Sequence, residues 1–382
     1  MKPLTTTSQY EQIIPSSTGG SNDTGYGQNV AVNETYMAVS AVRYDVNGLN
    51  DSGCIYLYRL DEDGIPIEDS VTIISPSDAA ADDLFGDPIK IIDNLLVTAS
   101  FCKNSGEVYI YDLENNLSET IITAPSNSDY RFGCSFDMTA DKQRLFIGSL
   151  GSDTSVAGSG VVYCYNLTND GYELYNVIKP PVPIQNGGFG RYVEVSGDQL
   201  IIGSQNVSTV YVFDAYTLQL EDLIGASLPK FIDGLGVPID VYNDVMVIGA
   251  RDSFGGRGCG LVYQQENENN WMFQGIIFDK TLTSQGSGIS VSIDENHIAI
   301  SPKNTLFGAV SDQGSVTLYS YSHSNNGLDI KYESTYITDN GEPGDFFGKR
   351  VTLENGNLYS TALYDDNQNG TDAGSVYIIP IS

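Results

Sequence analysis

The chain has 382 residues, with 49 Asp or Glu against 18 Lys or Arg and a formal net charge of −31. A surface that negative repels phosphate backbones and anionic leaflets, so no nucleic-acid partner is expected. Forty glycines, 25 tyrosines and only 18% charged residues suit an all-β chain of many strands joined by tight turns.

No apolar run approaches the ~20 residues a membrane span needs, so no membrane insertion is expected. The first residues, MKPLTTTSQYEQIIPSS, lack the apolar core of a secretory signal. The expectation is either a removed leader or exit by another route, for example inside a virion. Cys54, Cys102, Cys134, Cys164 and Cys259 are odd in number and far apart. They read as free thiols filling small sites, which argues against a disulfide-stapled module.

In chain order, the first element is a lone apolar pair, Ile13-Ile14, within a segment of residues 8–15 that no complete repeat precedes. From there a repeat takes over. An aromatic-Gly step recurs at Tyr26-Gly27, Phe85-Gly86, Phe132-Gly133, Phe189-Gly190, Leu235-Gly236, Ser287-Gly288 and Phe347-Gly348. The mean spacing is about 53 residues, the signature of a repeat architecture. Two copies have lost the aromatic and all keep the glycine. Thirteen residues after each glycine a small residue closes a hydrophobic run: Ser40, Ala99, Gly203, Gly249, Ser301 and Thr361. In the third copy the offset to Gly148 is 15, because the turn through Asp141 is longer.

Two short runs split by a polar turn read as a β-hairpin. A third strand opens at Gly53, Gly106, Gly160, Ser208, Gly260, Gly314 and Gly374, mostly as Gly-x-Val-Tyr. A fourth, more polar strand ends at Ile74, Ile122, Ile178, Ile224, Ile277 and Ile337, but the seventh copy stops after its third. Seven copies of four strands predict one seven-bladed β-propeller of four-stranded antiparallel blades over residues 1–382. Its blades begin near 26, 85, 132, 189, 235, 287 and 347. Residues 8–15 are expected to supply the outermost strand of the last blade and so close the ring. The step aromatics are expected to wedge between blades, and the small residues to let the next blade approach.

Phe-Gly, then a hairpin ending Ile202-Gly203-Ser204 or Ile248-Gly249-Ala250, then Gly-x-Val-Tyr, resembles the FG-GAP repeat. The resemblance covers about residues 8–380. It implies the propeller of integrin α-subunit headpieces and microbial surface proteins, with recognition or adhesion outside a cell. Integrin-type repeats place an Asp-x-Asp-x-Asp-Gly calcium loop between the first two strands. Here those connections are tight turns, as at Asp93-Asn94, Asn243-Asp244 and Asn355-Gly356, and cannot wrap a cation.

The candidate metal site lies elsewhere, in the loop from Asp365 to Asp372. Asp365, Asn367, Asn369 and Asp372 offer oxygens, with Gly370 at the turn, and Ca²⁺ is the cofactor they would hold. The loop lacks a distal bidentate Glu, and Asn, Asp and Gly also simply make turns. The loop from Asp45 to Asp51 is its poorer counterpart. No catalytic residues are assigned: His297, in a second strand, and His323, in a loop, have no recurring nucleophile beside them. Arg43, Arg251, Arg257, Lys349 and Arg350 stand near loop ends and could bind an acidic sugar or carboxylate. The functional expectation is a non-catalytic binding or structural module outside a cell or on a virion surface, meeting a protein or glycan ligand. The rival is a carbohydrate-active enzyme, marked by a carboxylate pair converging near the axis. A third reading is scaffolding with other virion or surface proteins.

Overall fold

The computed structural model describes residues 5–6, 11–14 and 24–381, apart from 68, 127–129, 152–155, 226–231, 268–269, 281–284, 304–305, 308–309 and 339–340. Seven antiparallel sheets follow one another along the chain as blades one to seven. Their innermost strands are Tyr26–Val32, Ile89–Ile92, Phe136–Met138, Phe189–Ser196, Leu235–Tyr242, Ser290–Ile293 and Phe347–Glu354. Each pairs with a second strand through a tight turn. Four of these turns are two-residue loops whose first residue has positive φ: Asp93 (54°), Gly197 (56°), Asn243 (52°) and Asn355 (53°). Asp and Asn tolerate that left-handed backbone, which matches the twist of a hairpin.

The ring closes as expected. Strand Glu11–Ile13 is the fourth strand of blade seven, with Gln12 opposite Tyr377 on strand Ser375–Pro380. The same N-terminal arm also does something the repeat gave no hint of. Thr5–Thr6 pairs parallel with Tyr336 and Ile337, adding a fifth strand to the outside of blade six.

The core is not one mass but seven clusters, one at each seam between blades. Blades one and two share Ala38, Ile55, Leu57, Ile74, Phe85, Leu96 and Tyr109. Blades seven and one share Tyr359, Val376, Ile378, Tyr26 and Tyr56. The step aromatics Tyr26, Phe85, Phe132, Phe189 and Phe347 are fully buried in these seams. Each meets the first tyrosine of its own third strand edge to face, as Phe85 does Tyr109 at 5.2 Å and Phe189 does Tyr211 at 5.2 Å. That geometry suits the ring quadrupoles and adds to the area buried.

Close approach explains the small residues. A Cβ on Gly86 would sit 2.9 Å from Ser40 Cβ, one on Gly203 only 1.9 Å from Gly236 O, and one on Gly27 3.3 Å from Thr361 Cβ across the closing seam. The third-strand glycine meets the next blade too: a Cβ on Gly374 would lie 2.1 Å from Tyr26 O.

Blade five corrects one assignment. Cys259, not Leu261, pairs with Ala250, so Gly258 rather than Gly260 occupies the opening position. Gly258 has φ +73° and abuts Ser287, as its counterparts abut their neighbours. The apparent motif in that blade is displaced by two residues, which leaves every side chain on the same face. Where the step aromatic is lost in blade six, a polar network fills the space: Ser315 Oγ and Thr317 Oγ1 donate to the buried Asp279 carboxylate at 3.1 and 2.8 Å.

Candidate functional site

The two faces of the disc differ in chemistry. On one, every turn from first to second strand but the last carries a carboxylate, Glu34, Asp93, Asp141, Asp198, Asp244 and Asp294, and Glu354 ends the strand that enters the last turn. These turns crowd one another. Asn33 Nδ2 donates to Asp93 O, and Asn355 Nδ2 to Asn33 O. Burial, together with Glu34 and Asp294, raises the pKa of Glu354. The other face holds the glycine steps and the loops between second and third strands.

Between the faces, the fourth residue after each step glycine lines the axis: Ala31, Lys90, Asp137, Glu194, Asp240, Ser292 and Thr352. An innermost strand has an unpaired edge, and buried N–H groups need acceptors. Side chains from the preceding blade supply them. Asp137 Oδ2 accepts from Val195 N at 2.7 Å, Asp240 Oδ2 from Ile293 N at 2.9 Å, and Ser292 Oγ from Leu353 N at 3.1 Å. Lys90 Nζ reaches across to Asp137 Oδ2 at 2.6 Å and Glu194 Oε1 at 2.9 Å. One ammonium serves two carboxylates, with Asp240 nearby. Burial raises the Glu194 pKa to about 8, with Lys90 opposing and Asp137 and Asp240 adding to the rise. Burial works against the charge of Lys90, but Asp137 and Glu194 more than offset it and raise its pKa.

Cations gather at the glycine-step mouth. Lys349 and Arg350 stand one and two residues after their glycine, and Arg191 one after its own. Arg350 Nε donates to Asn29 Oδ1 at 2.8 Å, and Asn29 Nδ2 to Asp87 Oδ1 at 2.8 Å. Burial pushes the Cys134 thiol up to about 11, and the Arg191 and Arg131 guanidinium groups work against it. Burial, then Arg350 and Lys303, lowers the Lys349 pKa, while Asp87 opposes. Among the described residues, none of Arg131, Arg191, Lys303, Lys349 and Arg350 has an ion pair with a carboxylate. In a chain with 49 acids and 18 bases, that is an arrangement rather than an average.

The residue two before each step glycine has positive φ in all seven copies. It is glycine in four: Gly25, Gly188, Gly234 and Gly286. In the others it is Leu84 (51°), Arg131 (56°) and Phe346 (55°). A left-handed non-glycine residue costs roughly 1–2 kcal/mol, and such outliers cluster at functional sites. All three side chains lie on the cationic face. Arg131 stacks over Phe101 at 5.2 Å and Tyr130 at 5.5 Å, and Tyr130 is 60% exposed. Leu84 lines an open cleft of about 460 Å³ with Arg43, Asp51 and Asp82. Phe346 lines a tighter cleft of about 80 Å³ with Ile289, Pro302, Lys303, Phe347 and Lys349.

The residues singled out in sequence are distributed as follows. Asp365 is buried, and its Oδ2 accepts from Gln12 Nε2 at 2.8 Å and Tyr377 OH at 2.9 Å. Asn367 Oδ1 accepts from Asn369 N, Asn367 Nδ2 donates to Gly374 O, and Asp372 N donates to Asp366 Oδ1. Asp51 N donates to Asp45 Oδ1 in the same way, so the two loops share that closing bond. Among the described residues no three His, Cys, Asp or Glu side chains gather as metal ligands. Arg251 pairs with Asp252 at 3.3 Å, and Arg257 stacks over Phe278 at 4.6 Å. His297 opens a second strand as expected. His323, by contrast, lies on the third strand Val316–Ser324 rather than in a loop, because that hairpin of blade six is extended, and Nε2 meets Asp244 Oδ2 at 3.0 Å. The axial column and the column before the aromatics escaped the sequence reading. Aligning the copies on their glycines would have exposed both.

No family model matches the chain, and no curated protein matches its sequence. Solved structures do match. The structure of U3-55K is 10% identical, with a TM-score of 0.62 over 98% of this chain and 99% of that one. A protein from Lactobacillus plantarum is 14% identical, with a TM-score of 0.55 over 82% of this chain and 86% of that one. At such identities the likeness speaks for the fold alone, and the chain is a seven-bladed β-propeller of four-stranded antiparallel sheets.

Proposed function

We propose that this propeller is a non-catalytic recognition module of a cell or virion surface that meets its ligand through the glycine-step face. The observation that carries the reading is the set of five cations at that mouth with no carboxylate partner among the described residues, in a chain of net charge −31. Unpaired cations beside exposed aromatic rings, as at Arg131 between Phe101 and Tyr130, are the residue types that dominate binding energy at interfaces. The register of the repeat supports grouping the chain with FG-GAP propellers, whose role is extracellular recognition. The test is a panel of acidic and neutral glycans and surface proteins, with and without Ca²⁺, read for retention and for newly released chain ends. Retention without release, lost on Arg131→Ala, is the expected result. Retention that depends on Ca²⁺ would assign the 365–372 loop.

A second reading, a carbohydrate-active enzyme, is favoured by Asp137 and Glu194 converging on Lys90 with the Glu194 pKa raised. Glycoside hydrolysis needs one such carboxyl group held protonated beside another that is ionised. Chain ends released by the protein and abolished by Glu194→Gln would establish it in place of the first.

A further inference from the structure

We propose that the cleft where blades six and seven meet at the glycine-step mouth binds one compact oxyanion group (carboxylate, sulfate or phosphate) carried by the ligand. The inference deepens the recognition reading and rests on it. Two ammonium groups, Lys303 and Lys349, line the cleft, and neither has an ion pair among the described residues. Arg350 adds its charge to theirs, fixed by its bond to Asn29 Oδ1 and by a second from Nη1 to Lys349 O at 3.1 Å. The remaining walls, Ile289, Pro302, Phe346 and Phe347, are apolar and strengthen any charge interaction made between them.

The volume of about 80 Å³ holds on the order of a few water molecules. It suits a charged group and not a sugar ring. The Ser301 hydroxyl, next to Pro302, is buried with no hydrogen-bond partner among the described residues. Phe346 forms its wall from a left-handed backbone that four other copies give to glycine, and its ring is braced edge to face by Tyr364 at 5.7 Å. Phe346 O also accepts from Lys349 N at 3.0 Å, which ties the strained residue to the lysine.

Burial, Arg350 and Lys303 disfavour the charged form of Lys349, with Asp87 opposing them. An oxyanion reverses that balance, so binding draws protons toward Lys349 and tightens as pH falls. Surface lysines in open water have no such linkage.

The experiment is calorimetric titration of the full chain with sodium sulfate, sodium phosphate and a hexuronate oligosaccharide. Ionic strength is held constant, and buffers of different ionisation enthalpy are compared. We expect at least one to bind with proton uptake, and Lys349→Met and Lys303→Met each to weaken it about tenfold or more. Lys331→Met, on the outer strand of blade six, should leave it unchanged. Inorganic anions competing with the hexuronate identify one shared oxyanion site; binding of the hexuronate alone identifies an oxyanion read as part of a sugar. Binding insensitive to both lysine variants, equally weakened by Lys331→Met, or absent for all three probes overturns the proposal. If the lysine variants lose nothing while the panel ligand is still retained, the cleft falls and the recognition reading stands. If sulfate binds at Lys349 while the panel stays silent, the reverse holds.

Discussion

Gly374 and Gly356 stand in the same blade, both with positive φ (78° and 71°), yet they should respond differently to alanine. At Gly356 a Cβ meets nothing within 4 Å; at Gly374 it meets Tyr26 O at 2.1 Å across the seam that closes the ring. Gly356→Ala should cost only the backbone strain, about 1–2 kcal/mol. Gly374→Ala should add an overpacking cost of about 1–3 kcal/mol. Urea unfolding midpoints for the pair decide it, and equal losses would mean that the seam is looser than described. Glu194 makes a prediction of opposite character. Its folded-state pKa is raised from 4.5 to about 8. Below about pH 4.5 the carboxyl is protonated whether the chain is folded or not. Between there and about 8 the unfolded chain releases a proton that the folded chain keeps, so stability falls with rising pH, and above about 8 the loss is complete. Glu194→Gln should flatten that decline and leave the protein more stable than the parent at pH 9, as thermal unfolding across pH would show. At Phe346 strain and function part company. Phe346→Gly relieves the left-handed backbone, so stability should hold or rise while ligand retention drops, the trade-off expected where strain serves a site.

Among the elements, the N-terminal strand is short for its task. Glu11–Ile13 offers three paired residues to close a seven-bladed ring. Gln12 supplies what the backbone lacks: its amide donates to Asp365 Oδ2 at 2.8 Å, Ser375 Oγ at 3.0 Å and Tyr377 OH at 3.2 Å. Asp365 is 1% exposed, so losing that donor leaves a buried carboxylate short of one hydrogen bond, with Tyr377 OH still donating to it. Gln12→Ala should therefore cost about 1–3 kcal/mol, far more than an edge residue normally does. Removing residues 1–16 should cost more and expose amides of Val376–Ile378 to hydrogen exchange while blades two to four stay protected. Uniform loss of protection around the ring would instead show that closure is shared by all seams. The parallel pairing of Thr5–Thr6 on blade six belongs to the same arm, and two residues of polar sequence carry no pattern from which it could be read.

At the scale of the molecule, what repeats was legible and what differs was not. The step glycines, the small residues that face them and the Gly-x-Val-Tyr openings recur because each seam poses the same packing problem. Even the lone Ile13-Ile14 pair found its place through that register. The axial residues obey no repeat, since Ala31, Lys90, Asp137, Glu194, Asp240, Ser292 and Thr352 occupy one position with little chemistry in common. A search for self-similarity discards such a column, and sites grafted onto a repeat live there. Charge follows the same division. A carboxylate in or beside every first turn reflects the repeat, whereas Arg131, Arg191, Lys303, Lys349 and Arg350 are departures from it. This predicts two opposite responses to salt. Self-repulsion at a net charge of −31 weakens as the screening length falls from ~30 Å at 0.01 M to ~3 Å at 1 M, so thermal stability should climb with sodium chloride. Ligand capture at the cationic mouth should decline over the same range, because the attraction it uses is screened too. Differential scanning calorimetry and binding measured along one salt series separate the two. A ligand whose capture rose in step with stability would belong on the acidic face, where screening removes a repulsion.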